Sequence, residues 1–509
     1  MAQISVNGKW IEANDGALLI DVLLRNNVDV PHFCYHPALG KDGNCRMCMV
    51  EIEGKKRPQI ACDTPVVDGQ VIRTKGENID KVKRSILELE LINHPIDCPI
   101  CDQAGECKLQ DYYMDVGLYE SRVTTEKTHG KKHVDLGSHV MLDQERCVLC
   151  TRCVRFTKNI TKTGELGVLQ RADHSVISTF PGRKLDNPYA MNVVDICPVG
   201  ALTSQDFRFH KRVWFLNTFD AICQGCSKGC NLHVDHHRDK YKDDIIYRYR
   251  PRVNEEVNGY FICDHGRLLY KRENENRLHV SVVETQEVSR AKGLEAAKEF
   301  LHQFRATCTV IISPSLSVEE MVMLQNLAIF YDVKIIVGAH GYYDAAFGDD
   351  FLKKSDLAMN RQGALHLGLI VDDRTPDAIL QEDEAFIFIG LDDQENWIKT
   401  ASTLNRSVGL ISAFVPHDAS SCRWMIPMAS HMEREGSFIN SEGVLQRSDG
   451  GVVRNAQAPS LLEVGVGLLE SLPCDCEGVW KEWLMHHERF KAITFTGSMS
   501  IGVKVGIHE

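Results

Sequence analysis

The stretch HPIDCPICDQAGEC, residues 94–107, carries three cysteines, Cys98, Cys101 and Cys107, and a histidine, His94, where a fourth would complete a metal-binding set. A helical pattern, ILELELIN, leads into it and breaks at Pro95, and the remainder is turn-rich, with Gly105 near its end. A lone histidine at a helix end is ordinarily a capping or solvent-facing side chain. Against that, three thiolates need a fourth donor to close a tetrahedral site, and zinc is one ion that accepts three cysteines and a histidine. Where the other cysteines go decides between these readings.

The chain has 509 residues and 19 cysteines, fifteen of which lie between Cys34 and Cys263 in four groups; only Cys308, Cys422, Cys474 and Cys476 come later. In a reducing compartment disulfides are rare, so metal binding is the leading explanation for so many thiols. The first group is Cys34, Cys45, Cys48 and Cys62, a cysteine loop ahead of C-x-x-C with a distant fourth. That is the plan of a 2Fe–2S ferredoxin, with a longer first gap than the plant type. The small residues of LGKDGNC (39–45) would let backbone amides approach the sulfurs. Four thiolates also suit zinc, which stays open as the rival occupant.

The third group, Cys147, Cys150 and Cys153 with Cys197 far downstream, is the C-x2-C-x2-C run of bacterial ferredoxins closed by CPVGAL. A two-cluster ferredoxin would have further cysteines where this chain has Asn187, Ala190 and Val193, so one cluster is lost and Cys197 completes the other. The fourth group, Cys223, Cys226, Cys230 and Cys263, has the number and type of ligands for a 4Fe–4S cluster, a zinc knuckle being the alternative. Fifteen cysteines and His94 thus make four complete sets of four. That balance is what argues for His94 as a ligand.

The formal net charge of −12 argues against a general nucleic-acid binder. The local basic runs KTHGKKH (127–133) and RYRPR (248–252) read as solvated faces. No segment approaches the ~20 apolar residues of a membrane span. The start, MAQISVNGKW, shows neither a signal-peptide core nor an Arg-rich transit pattern, so the chain is expected on the cytosolic side, where it could still dock on a membrane complex. QISVNGKWIEA reads as a hairpin turning at Asn7-Gly8, ALLIDVLLRNN (17–27) as a helix, and MVEIEG and QVIRT as strands. Beyond Arg267 the apolar runs 308–315, 333–339, 367–373, 385–393 and 408–415 alternate with the helical patterns SVEEMVMLQNLAIFY and NWIKTASTLN. Such alternation implies a parallel sheet with helices on its faces.

Taken in order, the 2Fe–2S plan, HPIDCPICDQAGECKLQD, CVLCTRCVRF with DICPVGAL, and CQGCSKGCN with VNEEVNGYFICDHGR resemble the large iron–sulfur subunit (the G subunit) of bacterial complex I, NADH:quinone oxidoreductase. The resemblance runs through residues 1–270 and returns in EREGSFINSEGVLQ (433–446). It implies a multidomain α+β then α/β chain. Residues 1–79 would be a β-grasp 2Fe–2S ferredoxin, 80–120 a 4Fe–4S domain with one histidine and three cysteines as ligands, and 121–215 a bacterial-ferredoxin-like domain with a single 4Fe–4S cluster. Residues 216–272 would be a 4Fe–4S domain of molybdopterin-oxidoreductase type, and 273–509 a shortened, cofactor-free α/β domain of the same kind. It further implies a 2Fe–2S cluster on Cys34, Cys45, Cys48 and Cys62, and 4Fe–4S clusters on His94, Cys98, Cys101 and Cys107, on Cys147, Cys150, Cys153 and Cys197, and on Cys223, Cys226, Cys230 and Cys263. The last lies off the main electron path in that family. No catalytic residue, molybdopterin, flavin or NAD is expected on this chain. Its implied role is electron transfer as one subunit of an oxidoreductase (a translocase) of the respiratory chain. The implied partners are the flavin/NADH-binding subunit, a thioredoxin-like 2Fe–2S subunit, the quinone-side peripheral-arm subunits and, indirectly, the membrane arm. The implied location is peripheral, on the cytoplasmic face of the cell membrane.

Two other readings compete. The same relay could serve a soluble NAD-linked hydrogenase or formate dehydrogenase, although the extra cysteines of the one and the full molybdenum domain of the other are missing. A zinc-rich scaffold without redox chemistry is the reading from a different class. In the C-terminal part, GVGLLE (465–470) starts like a dinucleotide loop but has Glu470 at the third glycine, so a core helix is expected. Cys474 and Cys476 read as incidental surface residues, and Cys422 is not expected to ligate molybdenum.

Overall fold

The computed structural model describes residues 1–453 and 458–469 and divides into two compact units, 1–216 and 217–509. Glu470, Cys474 and Cys476 lie outside the described residues.

In the first unit, Ala2–Val6 and Lys9–Ala13 form a hairpin in the register Val6 opposite Lys9, with both Asn7 and Gly8 at positive φ. Two consecutive left-handed residues are what a two-residue hairpin turn demands. Ala2–Val6 also pairs in parallel with Val71–Arg73, which pairs antiparallel with Met49–Ile52. The resulting five-stranded sheet packs on the helix Leu19–Arg25 through Ile4, Val6, Leu19, Ile20, Leu23, Val50 and Ile72. Cys48 and Cys62 belong to this same core. After the helix Glu77–Leu91 the unit is built of short pieces: the three-stranded sheet of Val134–Asp135, Val140–Leu142 and Leu202–Ser204, one small hairpin, and loops that carry the cysteines.

The second unit opens with an antiparallel meander, Asn217–Ile222, Asn231–Arg238 and Asp244–Pro251. Its main body is an eight-stranded sheet in which Trp424–Pro427, Ser407–Ser412, Ala385–Ile389, Cys308–Ile312, Lys334–Gly338 and Val371–Asp372 run parallel, in that order. Chain order runs outward in both directions from Cys308–Ile312, the doubly wound arrangement. Alternate residues serve two cores: Val310, Ile312, Ile387 and Ile389 pack with the helix Val318–Tyr331, while Ile311, Phe386 and Phe388 pack with Trp397 of the helix Gln394–Thr403. Burial on both faces is why these strands read as continuous apolar runs. A capping box between Ser317 and Glu320 starts the first of these helices.

The expected strand at 367–373 shrinks to Val371–Asp372, because Leu367 still caps the helix Arg361–His366 and Gly368 turns at positive φ. The strand Trp424–Pro427 and the hairpin of Ser281–Val283 with Gln286–Val288, which extend the sheet, have no counterpart in the sequence reading. Residues 465–469 of GVGLLE fall in the helix Leu461–Leu469, which puts Leu461, Val464 and Leu468 in the core. No helix among the described residues is long and apolar enough to cross a membrane.

Candidate metal centres

The first cysteine set is buried and close-packed. Cys34 and Cys45 bring their sulfurs to 3.4 Å, and Cys62 shares hydrogen bonds with both Cys34 and Cys48. Gly40 and Gly43, both at positive φ, let the loop 34–45 curl over them. The amides of Phe33 and Cys34 approach Cys45 Sγ at 3.5 Å, and the Gly43 amide donates to Cys34. Donors aimed at sulfur stabilise added negative charge and so raise a cluster's potential.

In the second set, Cys101 and Cys107 are buried and Cys98 is half-buried. The helix Glu77–Leu91 ends three residues before His94. Lys127 Nζ closes that end by donating to the carbonyls of Leu91, Ile92 and His94 at 3.0, 3.1 and 2.6 Å. Burial pushes the His94 imidazole down to about 4; nearby Asp97 pulls it up, and the Lys127, Arg146 and Lys132 cations add to the lowering. The ring is therefore neutral at pH 7, the state that offers a lone pair to a metal. Arg146 forms two hydrogen bonds to Asp97, at 2.9 and 2.6 Å, tying the residue before Cys147 to the residue before Cys98.

The third set is a converging one. Cys147, Cys150, Cys153 and Cys197 all line a single small cavity closed by Leu142, Val148, Ile177, Val199 and Leu202. Leu149 and Thr151 hold positive φ in the loop, conformations that cost energy outside glycine and are kept where the surroundings over-determine them. The second and third sets interlock. The Lys108 amide donates to Pro198 O at 2.9 Å, and a Cβ placed on Gly200 would lie 2.2 Å from Cys101 Sγ.

The fourth set lies in the second unit, with all four cysteines buried. The Cys223 amide donates to Cys230 O at 2.8 Å, and the amides of Gly225 and Gly266 reach Cys223 Sγ and Cys263 Sγ at 3.3 Å. A Cβ on Gly266 would stand 2.7 Å from Cys223 Sγ. The hairpin of Gly436–Ile439 and Leu445–Ser448, which overlaps EREGSFINSEGVLQ, braces this loop. Gln446 Nε2 donates to Gly229 O, Asn440 Nδ2 to Lys228 O, and the Lys228 ammonium pairs with Glu442 at 2.7 Å.

Burial pushes the Cys107 thiol up to about 11, Cys150 to about 12 and Cys263 to about 11. Iron must therefore displace protons to bind them, so acid weakens the sites. Among the described residues no set of three or more His, Cys, Asp or Glu side chains stands closed around a single metal ion.

The two basic runs are not merely solvated faces, as their sequence suggested. Lys127 caps the helix before His94, and Lys132 reaches Asp97, Asp143 and Glu145. Arg248 and Arg250 clamp the buried Asp235. Sequence reasoning also passed over Arg146, Arg152 and Arg155, although their alternation with cysteines in ERCVLCTRCVR was a visible signal. Cys422 lies in the apolar core with Ile398 and Met425. A cavity of about 280 Å³ opens at the carboxyl ends of the parallel strands, lined by Ser313, Gly390 and Asp392 and, from the fourth set's loop, Gly225 and His265. Its position is the switch point of a doubly wound sheet.

Comparison with known families finds four matches, in this order. Residues 1–77 match the 2Fe-2S iron-sulfur cluster binding domain, and 83–122 the NADH-ubiquinone oxidoreductase-G iron-sulfur binding region. Residues 137–203 match the ferredoxin-like domain of NADH-quinone oxidoreductase subunit 3, and 216–275 the molybdopterin oxidoreductase Fe4S4 domain. Among curated proteins, the G subunit of NADH-quinone oxidoreductase from Rickettsia conorii is 35% identical over 332 residues, 64% of this chain and 49% of that protein. The protein of the same name from Streptomyces coelicolor is 34% identical over 63% of this chain and 38% of its own length. The NADH-ubiquinone oxidoreductase 75 kDa subunit of Reclinomonas americana is 36% identical over 56% and 40%. Among solved structures, a chain of an NAD+-reducing [NiFe]-hydrogenase is 28% identical, covering 42% of this chain and 91% of its own, with a TM-score of 0.38. The chain spans about half the length of the curated relatives it matches, or less. Within that span it carries 2Fe–2S and 4Fe–4S binding domains in sequence, and in them it is similar to the G subunit of NADH-quinone oxidoreductase.

Proposed function

We propose that the chain is an electron-relay subunit of a membrane-associated NADH:quinone oxidoreductase, passing single electrons from a flavin-bearing partner toward quinone. The observation that carries this is the interlocking of three cysteine-rich loops in one compact unit. The first and third are joined by side-chain-to-carbonyl hydrogen bonds, the second and third by the Gly200–Cys101 and Lys108–Pro198 contacts. When bound, iron–sulfur clusters supply one-electron storage with little rearrangement. The protein's part is position, burial and charge.

In this reading Cys34, Cys45, Cys48 and Cys62 hold a 2Fe–2S cluster. Three 4Fe–4S clusters sit on His94, Cys98, Cys101 and Cys107, on Cys147, Cys150, Cys153 and Cys197, and on Cys223, Cys226, Cys230 and Cys263. Neutral His94 in place of a thiolate makes its centre less negative. The fourth set, braced by the 436–448 hairpin, serves structure. In this reading the α/β domain works without molybdopterin, and Cys422 lies in the apolar core and not in the lining of the switch-point cavity. NADH oxidation and quinone reduction belong to partner subunits: the flavin/NADH-binding and thioredoxin-like 2Fe–2S subunits and those on the quinone side. The complex sits on the cytoplasmic face of the cell membrane, joined to its membrane arm.

Native purification tests this. Flavin-bearing and quinone-side subunits should co-purify, and NADH should bleach the complex's visible absorption. Co-purification instead with a catalytic hydrogenase or formate dehydrogenase subunit would overturn it.

A further inference from the structure

Two arginines of the third set's loop reach across to the first set. Arg155, two residues after Cys153, donates through Nη1 to Leu39 O at 3.1 Å and Gly40 O at 2.8 Å, and through Nη2 to Cys34 O and, at 3.5 Å, to Cys150 O. One guanidinium thus holds the backbone of a first-set ligand and of a third-set ligand together. Arg152, only 8% exposed, donates to Tyr35 O, beside Cys34, and to Ile196 O, beside Cys197, at 3.1 Å. Asn44 Nδ2 to Leu149 O and Thr151 Oγ1 to Asp42 Oδ2, both 2.9 Å, fasten the same two loops from outside. A lysine could not reproduce this, because only a planar fork reaches several carbonyls at fixed angles. The carbonyls are neutral acceptors and cancel neither charge; both guanidinium groups act on Cys150, and Arg152 on Cys197 as well, in a partly dry site where charge acts over several ångströms.

We propose that Arg152 and Arg155 are positioning residues that latch the first and third centres together and hold both reduction potentials up with one shared pair of charges. The inference rests on the reading of these sets as iron–sulfur centres. A reduced cluster carries one more negative charge than an oxidised one, so a fixed cation beside it favours reduction. A cation placed between two clusters favours both.

The test is a potentiometric titration followed by low-temperature EPR on the purified chain, with iron counted first. Arg155→Gln should keep its iron and lower both midpoints together, by about tenfold in each reduction equilibrium, which is 59 mV for one electron. Arg155→Lys, which keeps the charge and loses the fork, should return both midpoints toward wild type. A shift in the third centre alone, or in neither, overturns the proposal. Should Arg155→Gln fail to hold iron, Arg155→Lys decides: wild-type midpoints support the shared charge, lowered midpoints overturn it. Loss of iron in both variants would show a residue needed only for assembly and would also overturn it. A wild-type chain that holds no iron fails the relay reading itself, a result distinct from all of these.

Discussion

Gly200→Ala puts the interlock of the second and third sets to a quantitative test. The added methyl would stand 2.2 Å from Cys101 Sγ and 3.0 Å from Gln103 Cβ, where ordinary contact begins at 3.4 Å. Something must therefore move by more than 1 Å on the sulfur side. Metal–ligand distances tolerate about 0.2 Å, so a displacement of that size removes Cys101 from its centre or drags the 197–200 turn off the third. The packing cost itself is modest, about 1–3 kcal/mol for one methyl forced into a filled site. Against a typical domain stability of about 5–15 kcal/mol the fold should survive while a cluster does not. The assay is iron per chain with EPR after dithionite reduction. The expected loss is about four irons of roughly fourteen, with the 2Fe–2S signal intact. A variant with full iron and wild-type spectra would refute the packing argument.

Further outcomes follow from the same geometry. Asp235, 1% exposed, is pressed upward by burial, but Arg250 and Arg248 win and hold its carboxyl down at about 2. Its folded value lies below its unfolded one, so its contribution of about 2 kcal/mol is complete above pH 4 and lost as pH falls through 2. Asp235→Asn leaves two half-buried arginines facing an amide and should cost about 3 kcal/mol in urea unfolding; a loss under 1 kcal/mol would sink that estimate. Phe388→Ala, emptying a fully buried site in the parallel sheet, should cost about 3–5 kcal/mol in the second unit, and an unchanged midpoint would contradict the core described for it. His94→Cys should keep its iron and lower the midpoint of the second centre, since a thiolate adds negative charge, whereas His94→Ala should lose or convert that centre. Unchanged EPR in His94→Ala would make the histidine a bystander.

What the sequence disclosed and what it hid divide along physical lines. The Asn7-Gly8 turn and the apolar runs 308–315, 385–393 and 408–415 are local signals, and each overlaps an element of the structure. The strand Trp424–Pro427 was invisible because four residues carry too little period to separate from loop. The latch and the interlock were hidden for another reason. Arg155 acts on carbonyls more than a hundred residues earlier, and any residue offers a carbonyl, so the acceptor leaves no mark in the sequence. Gly200 and Gly266 likewise show their purpose only once a sulfur stands beside them. The run KTHGKKH misled because a helix end and three carboxylates receive two of its lysines, Lys127 and Lys132. The EREGSFINSEGVLQ stretch, where the resemblance returns, gives no sign in sequence that its Asn440 and Gln446 hold the fourth set's loop.

The central claim is that sixteen donors hold iron–sulfur clusters. Metal analysis of the anaerobically purified chain, read together with its visible and EPR spectra, tests it most directly. The account requires a brown protein with about fourteen irons per chain and signals from both 2Fe–2S and 4Fe–4S centres. A colourless protein with zinc and no iron would contradict it.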